Sequence, residues 1–203
     1  ATMAASTGYK LVSPDGRLVS EINVGDSLTF TLADERQSIL SPSTLAMEWM
    51  DGTVWGAGMK VRKAQRLSVD ETIPSPLYKK SEVRDRYNRL VLTTAAGFGV
   101  EFRMYDDGMA YRFLSSLSGE RTVKNEKAVY RLSRNFETWA PYVRDRKKRK
   151  NATREQQFWN DMQNLYTYLP VQEFDGNNLL FTPILVNLEH GGKLCIAEAD
   201  VED

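Results

Sequence analysis

The sequence predicts an all-β domain of two mostly antiparallel sheets packed face to face, with at most one or two short helices. Three observations carry this. Residues 100–113 read as a β-hairpin: Val100, Phe102 and Met104 share one parity and Glu101, Arg103 and Tyr105 the other, the period of a strand with one buried face. Asp106-Asp107-Gly108 supplies the turn, and Met109, Tyr111 and Phe113 alternate with Ala110, Arg112 and Leu114 on the way back. Similar short arms, punctuated by Gly, Pro and Asp, recur along most of the chain, and only residues 143–169 break the rhythm. A hairpin is not stable alone, so these arms must join into sheets and cover one another's apolar faces.

In order, Tyr9-Lys10-Leu11-Val12 is a first short strand and Ser13-Pro14-Asp15-Gly16 a turn. Leu18, Ser20, Ile22 and Val24 form one arm and Leu28, Phe30 and Leu32 another, joined at Gly25-Asp26. Ile39-Leu40 leads through Ser41-Pro42 to the arm of Leu45, Met47 and Trp49, which stops at Asp51-Gly52. Residues 59–72 fit strand or loop equally. Ile73-Pro74-Ser75-Pro76 is a breaker, after which 82–94 leads into the hairpin. Beyond it, a strand is expected at 129–132 after the polar stretch 115–127, and another at 136–142, closed by Pro141. Within 143–169, Phe158, Met162 and Leu165 fall at spacings of four and three, so one short helix or an irregular excursion belongs there. Residues 179–188 and 193–199 return to strand around the turn Glu189-His190-Gly191-Gly192.

With 203 residues, a single domain over 1–203 is expected. The 27 basic residues balance 27 acidic ones, so overall charge points to neither nucleic acid nor a membrane surface. No apolar run approaches the roughly 18 residues of a membrane-spanning helix. Ala1-Thr2-Met3-Ala4-Ala5-Ser6 lacks the regions of a signal peptide, which leaves open one removed ahead of it. The single Cys195 cannot form an internal disulfide.

Catalytic chemistry has few routes here. A nucleophilic triad would depend on His190, the only histidine, in a Gly-rich turn where a bystander role is expected. One Cys and one His cannot make the usual zinc cluster. Gly97-Phe98-Gly99 reads as a turn, not a phosphate loop. The run Arg144-Asp145-Arg146-Lys147-Lys148-Arg149-Lys150 is an electrostatic footprint for nucleic acid or, as favoured in a neutral chain, a solvated loop. Trp139, Tyr142, Phe158, Trp159, Tyr166 and Tyr168 are read mostly as packing, with sugar stacking as the functional alternative.

Several stretches together carry a resemblance. Ser13-Pro14-Asp15-Gly16-Arg17-Leu18, Ser41-Pro42-Ser43, Glu82-Val83-Arg84-Asp85-Arg86-Tyr87-Asn88-Arg89-Leu90, the hairpin from Glu101 to Phe113, and Ile196-Ala197-Glu198-Ala199-Asp200 resemble, in order and spacing, the N-terminal domain of glycoside hydrolase family 97. The resemblance implies a galactose mutarotase-like β-supersandwich, followed by a catalytic (β/α)8 barrel that lies downstream of this chain. It implies a periplasmic or secreted enzyme acting on α-glucosidic or α-galactosidic bonds of oligosaccharides, with this domain inactive alone and containing no catalytic residue. It also implies a calcium ion between the domain and its partner barrel, to which Glu198 contributes one ligand, with Glu189 and Glu202 the next candidates. The basic run is a departure from the family pattern. No nucleic-acid partner and no membrane span are expected; a stand-alone carbohydrate-binding module is the alternative.

Overall fold

The computed structural model describes residues 6–77, 79–147, 149 and 151–199. Strand accounts for 54% of it and helix for 6%, as an all-β chain with at most one or two short helices requires. The chain divides into two compact units, Ala1–Ser133 and Arg134–Asp203.

In the first unit, β1 (Thr7–Val12), β2 (Val19–Val24), β3 (Leu28–Ala33), β4 (Ser38–Trp49), β5 (Val54–Trp55) and β10 (Val123–Ala128) form one antiparallel sheet in the order β1-β2-β3-β4-β10, with β5 also on β4. A second sheet, β6-β7-β8-β9, joins β6 (Val61–Pro74), β7 (Glu82–Thr94), β8 (Phe98–Tyr105) and β9 (Met109–Ser115). The alternation seen in sequence decides the packing. Ile22, Leu28, Phe30 and Leu45 of the first sheet and Leu90, Leu92, Val100, Phe102 and Met104 of the second are completely or almost completely buried. Such side chains contribute about 1.5–3 kcal/mol each, which is what holds the two faces together. Phe30 meets Phe102 across the gap at 6.5 Å, and Tyr111 donates a 2.6 Å hydrogen bond from β9 to Glu126 on β10.

The expected hairpin is present: β8 and β9 pair Met104↔Met109 and Phe102↔Tyr111, and the Tyr105 N–H closes the turn on the Gly108 carbonyl at 2.8 Å. Residues 59–72, undecidable from sequence, are mostly β6, a 14-residue edge strand exposed along nearly its whole length. With both faces wet, it has no alternation to read. The strand expected at 129–132 lies earlier, as β10, whose sequence VKNEKA is polar because it is an exposed edge. Residues 129–133 still run beside β4, through Val129 N–H to Thr44 O and Ser133 N–H to Ile39 O, but a regular ladder stops where Pro42 lacks a donor. Opposite Pro42, the β3–β4 register also shifts between Phe30 and Leu32.

Gly56 leaves β5 with φ +94°, and a Cβ there would meet the Leu45 carbonyl oxygen at 2.4 Å. Gly56→Ala is therefore expected to destabilise the first unit by more than about 1 kcal/mol, measured as a lower urea midpoint. An unchanged midpoint would mean the backbone is free to move there.

In the second unit, β11 (Glu137–Ala140), α1 (Arg154–Phe158), β12 (Thr167–Pro170), β13 (Ile184–Asn187) and β14 (Lys193–Ile196) appear, the strands in antiparallel order β12-β11-β13-β14. Thr138, Ala140 and Val186 are buried on one face. The helix starts at a capping box, Thr153 accepting from the Gln156 N–H while Gln156 reaches back to the Thr153 N–H. It ends about two turns before Leu165, at the Trp159 cap, and Phe158, Met162 and Leu165 are all exposed.

Candidate functional site

Glu198 lies two residues beyond the end of β14 at Ile196 and is exposed. A strand end is a sound position from which to present a carboxylate to another body, because the ladder fixes the chain up to the Ile184↔Ile196 pair and no further. The residues present fit a calcium ion only in part. Calcium takes about six to eight oxygen ligands and one carboxylate offers at most two. Among the described residues, no group of three or more His, Cys, Asp or Glu is placed to hold a metal. Glu189 is already engaged, its Oε2 accepting from Arg134 Nη1 at 2.6 Å, and Glu202 lies outside the described residues, as does Asp200 of the same closing motif. Glu198 with its described neighbours therefore makes no calcium cage of its own.

The second unit also exposes an unusual amount of apolar surface. Trp139 on β11 sits opposite Tyr168 on β12, ring centroids 4.9 Å apart and planes tilted by 52°, and both remain about half exposed. Alternation explains it: Trp139 lies between Thr138 and Ala140, which fill the buried face, so its ring must point the other way. Trp159 is 86% exposed and Leu165 87%, on the stretch after α1. An indole left this open forfeits most of its burial free energy.

The basic run has a local explanation. Arg149 forks onto Asp145, Nε to Oδ2 at 2.9 Å and Nη2 to Oδ1 at 3.0 Å, which holds that carboxyl well below the usual carboxylate range. Arg146 binds Asp161 Oδ2 through Nε and Nη2, and the Arg144 and Asp161 backbones form a bridge. These partners, twelve or more positions away for Asp161, turn the run into a pinned loop. Lys148 and Lys150 lie outside the described residues. His190 occupies its turn at φ +62°, and Cys195 is exposed on β14.

Sequence reasoning missed a cluster in the first unit. Glu101, on the supposedly solvent-facing side of the hairpin, is 1% exposed. Arg103 Nε lies 2.7 Å from its Oε1, Arg89 Nε 3.2 Å from the same oxygen, and Arg112 donates twice to Oε2 at 3.1 and 2.9 Å. Burial pushes the Glu101 carboxyl up, but the hydrogen bonds and charges of Arg103 and Arg112 outweigh it and hold it below its ordinary value. A carboxylate kept ionised and closed to solvent is a brace, not an acid or base for catalysis. The signal available in sequence was the opposition of Glu101 and Arg112 across the hairpin, which only a known register exposes.

A family model described as Glycosyl-hydrolase 97 N-terminal matches residues 11–203. A retaining alpha-galactosidase of Bacteroides thetaiotaomicron is 38% identical over 202 residues; the match covers all of this chain and 30% of the relative, so the chain spans under a third of that protein's length. Among solved structures, a glycoside hydrolase family 97 enzyme from Pseudoalteromonas sp. strain K8 in complex with acarbose is similar with a TM-score of 0.66 at 15% identity, covering 89% of this chain and 27% of the other. A beta-arabinopyranosidase is similar with a TM-score of 0.75 at 19% identity, over 95% of this chain and 32% of its own. At those identities the two structures speak to the fold.

Proposed function

The chain belongs to the glycosyl-hydrolase 97 N-terminal family, and from that premise we propose that it is the non-catalytic first part of a retaining α-galactoside hydrolase, carrying a downstream catalytic barrel and lending it one calcium ligand. The single observation that supports this best is the relative matched from end to end over this chain yet more than three times as long. The exposed Trp139, Tyr168, Trp159 and Leu165 then have a purpose: they are the surface on which the downstream part rests. Glu198, two residues beyond β14, is carried to the same junction. There a calcium ion would supply positive charge beside the scissile bond, while this chain's part is to hold one carboxylate in place. The proposed setting is periplasmic or extracellular, where oligosaccharide substrates are met.

The test compares the 203-residue chain with a longer protein carrying the downstream part. Only the longer protein should release nitrophenol from a nitrophenyl α-galactoside, and hydroxyl-radical footprinting should find Trp139 and Trp159 protected in it but reactive in the short chain. Hydrolysis by the short chain, or equal labelling in both, would refute the reading. Glu198→Gln keeps the side-chain shape and removes the charge. In the longer protein it is expected to weaken calcium binding and turnover at least tenfold, by analogy with losing one charged ligand, while leaving the urea midpoint of the short chain unchanged. Full calcium affinity in that variant would move the ligand to another carboxylate.

A further inference from the structure

We propose that β6 is a homotypic pairing edge, through which two copies of this chain join antiparallel about a two-fold axis at Ser68. β6 is a 14-residue strand that pairs on one side with β7, from Val61↔Thr94 to Pro74↔Glu82, and among the described residues has no strand partner on the other. An edge of that length presents a row of unpaired backbone donors and acceptors, and proteins normally blunt such edges with bulges, proline or a covering element. Here the one register shift lies at the start, between Val61 and Lys63, and the only proline, Pro74, is the last residue. Among the described residues no strand pairs with the outer side of the span between them.

The charges on that span choose the partner. Its first half carries Arg62, Lys63 and Arg66, its second half Asp70 and Glu71. A parallel copy would set like charges side by side. An antiparallel copy sets the basic half of each strand against the acidic half of the other, so the strand is complementary to itself. With Ser68 on the axis, Arg66 faces Asp70 of the second copy and Leu67 faces its Val69, each pairing occurring twice. Leu67, 53% exposed in the single chain, gains an apolar neighbour. Asp70 is held ready: Arg84 grips it through Nε and Nη2, both at 2.7 Å, yet its side chain remains 52% exposed on the edge. The small Ser68 at the axis lets the two strands approach. The inference stands independently of the proposed hydrolase role.

Sedimentation equilibrium of the 203-residue chain at low salt is expected to show a species of twice the 23.1 kDa chain mass, dissociating as salt is raised. Arg66→Asp, at an exposed position, should give a monomer with an unchanged circular dichroism spectrum. Asp70→Arg should do the same, and mixing the two monomeric variants should restore the dimer, since each then supplies the charge the other lacks. In a Cys195→Ser background, Ser68→Cys should form a reducible cross-linked dimer. A monomer at concentrations up to about 1 mM, or a dimer that survives Arg66→Asp, overturns the proposal. Amide protection of β6 that appears only in a longer protein would also overturn it, because the downstream part would then be the occupant.

Discussion

Replacing Glu101 by Gln should lower the stability of the first unit by about 2–4 kcal/mol, read as a fall in urea midpoint at pH 7. Removing one partner from a buried ion pair typically costs about 3–5 kcal/mol, because the remaining charge is left without compensation. Arg89 and Arg103 are each about a third exposed and Arg112 mostly so, which lets water recover part of that loss and sets the lower figure. Arg112→Ala, removing the most solvated of the three cations, should cost under about 1 kcal/mol. The pH dependence has a definite sign. In the folded chain the carboxyl is held below its ordinary value, so the folded state takes up its proton less readily than the unfolded one. Its contribution is complete above the unfolded carboxylate range, near pH 4–5, and is lost as pH falls through the lower folded value. The gap between wild type and Glu101→Gln should therefore be widest near neutrality and close in acid. A gap independent of pH from 7 to 3 would mean that the charge plays no part.

Glu101 also marks where the sequence stops being legible. Parity separated Phe102 from Glu101 correctly, and placed the hairpin, the turn and most arms of the first unit, because a face buried against another sheet writes itself as alternation. It says nothing about what happens on the opposite face, where three arginines from β7, β8 and β9 close over one carboxylate. The same blindness hid β6 and β10: an edge strand exposed on both faces has no apolar period to report. The 129–132 stretch was displaced by a residue ninety positions away, since Pro42 is what interrupts the ladder. The spacing of Phe158, Met162 and Leu165 points to one short helix or an irregular excursion, and the chain has a short helix that Trp159 ends, with all three side chains exposed. Glu198 came from the resemblance alone; its own neighbourhood carries no signal beyond a strand end.

Trp55→Ala should cost about 3–5 kcal/mol, although Trp55 sits in a two-residue strand that no periodicity announces. It is 3% exposed and works as a plug between the sheets of the first unit. Its ring stacks on Phe98 of β8 at 4.9 Å with planes 9° apart, lies 4.5 Å from Trp49 of β4, and reaches Phe113 of β9 at 6.5 Å. β5 is held to β4 by two register pairs, Met47↔Trp55 and Glu48↔Val54, with the Leu28 N–H on the Gly56 carbonyl just after it, and the ring contacts add to these bonds. Truncation removes one of the largest apolar side chains and leaves a cavity that three other rings cannot fill without leaving their own positions. Val54, the neighbour on the opposite face, is 39% exposed and provides the control: Val54→Ala keeps the backbone and should cost under about 1 kcal/mol. Equal losses for the two variants in urea unfolding would place the effect in the backbone of β5; a loss confined to Trp55→Ala places it in the ring that joins the sheets.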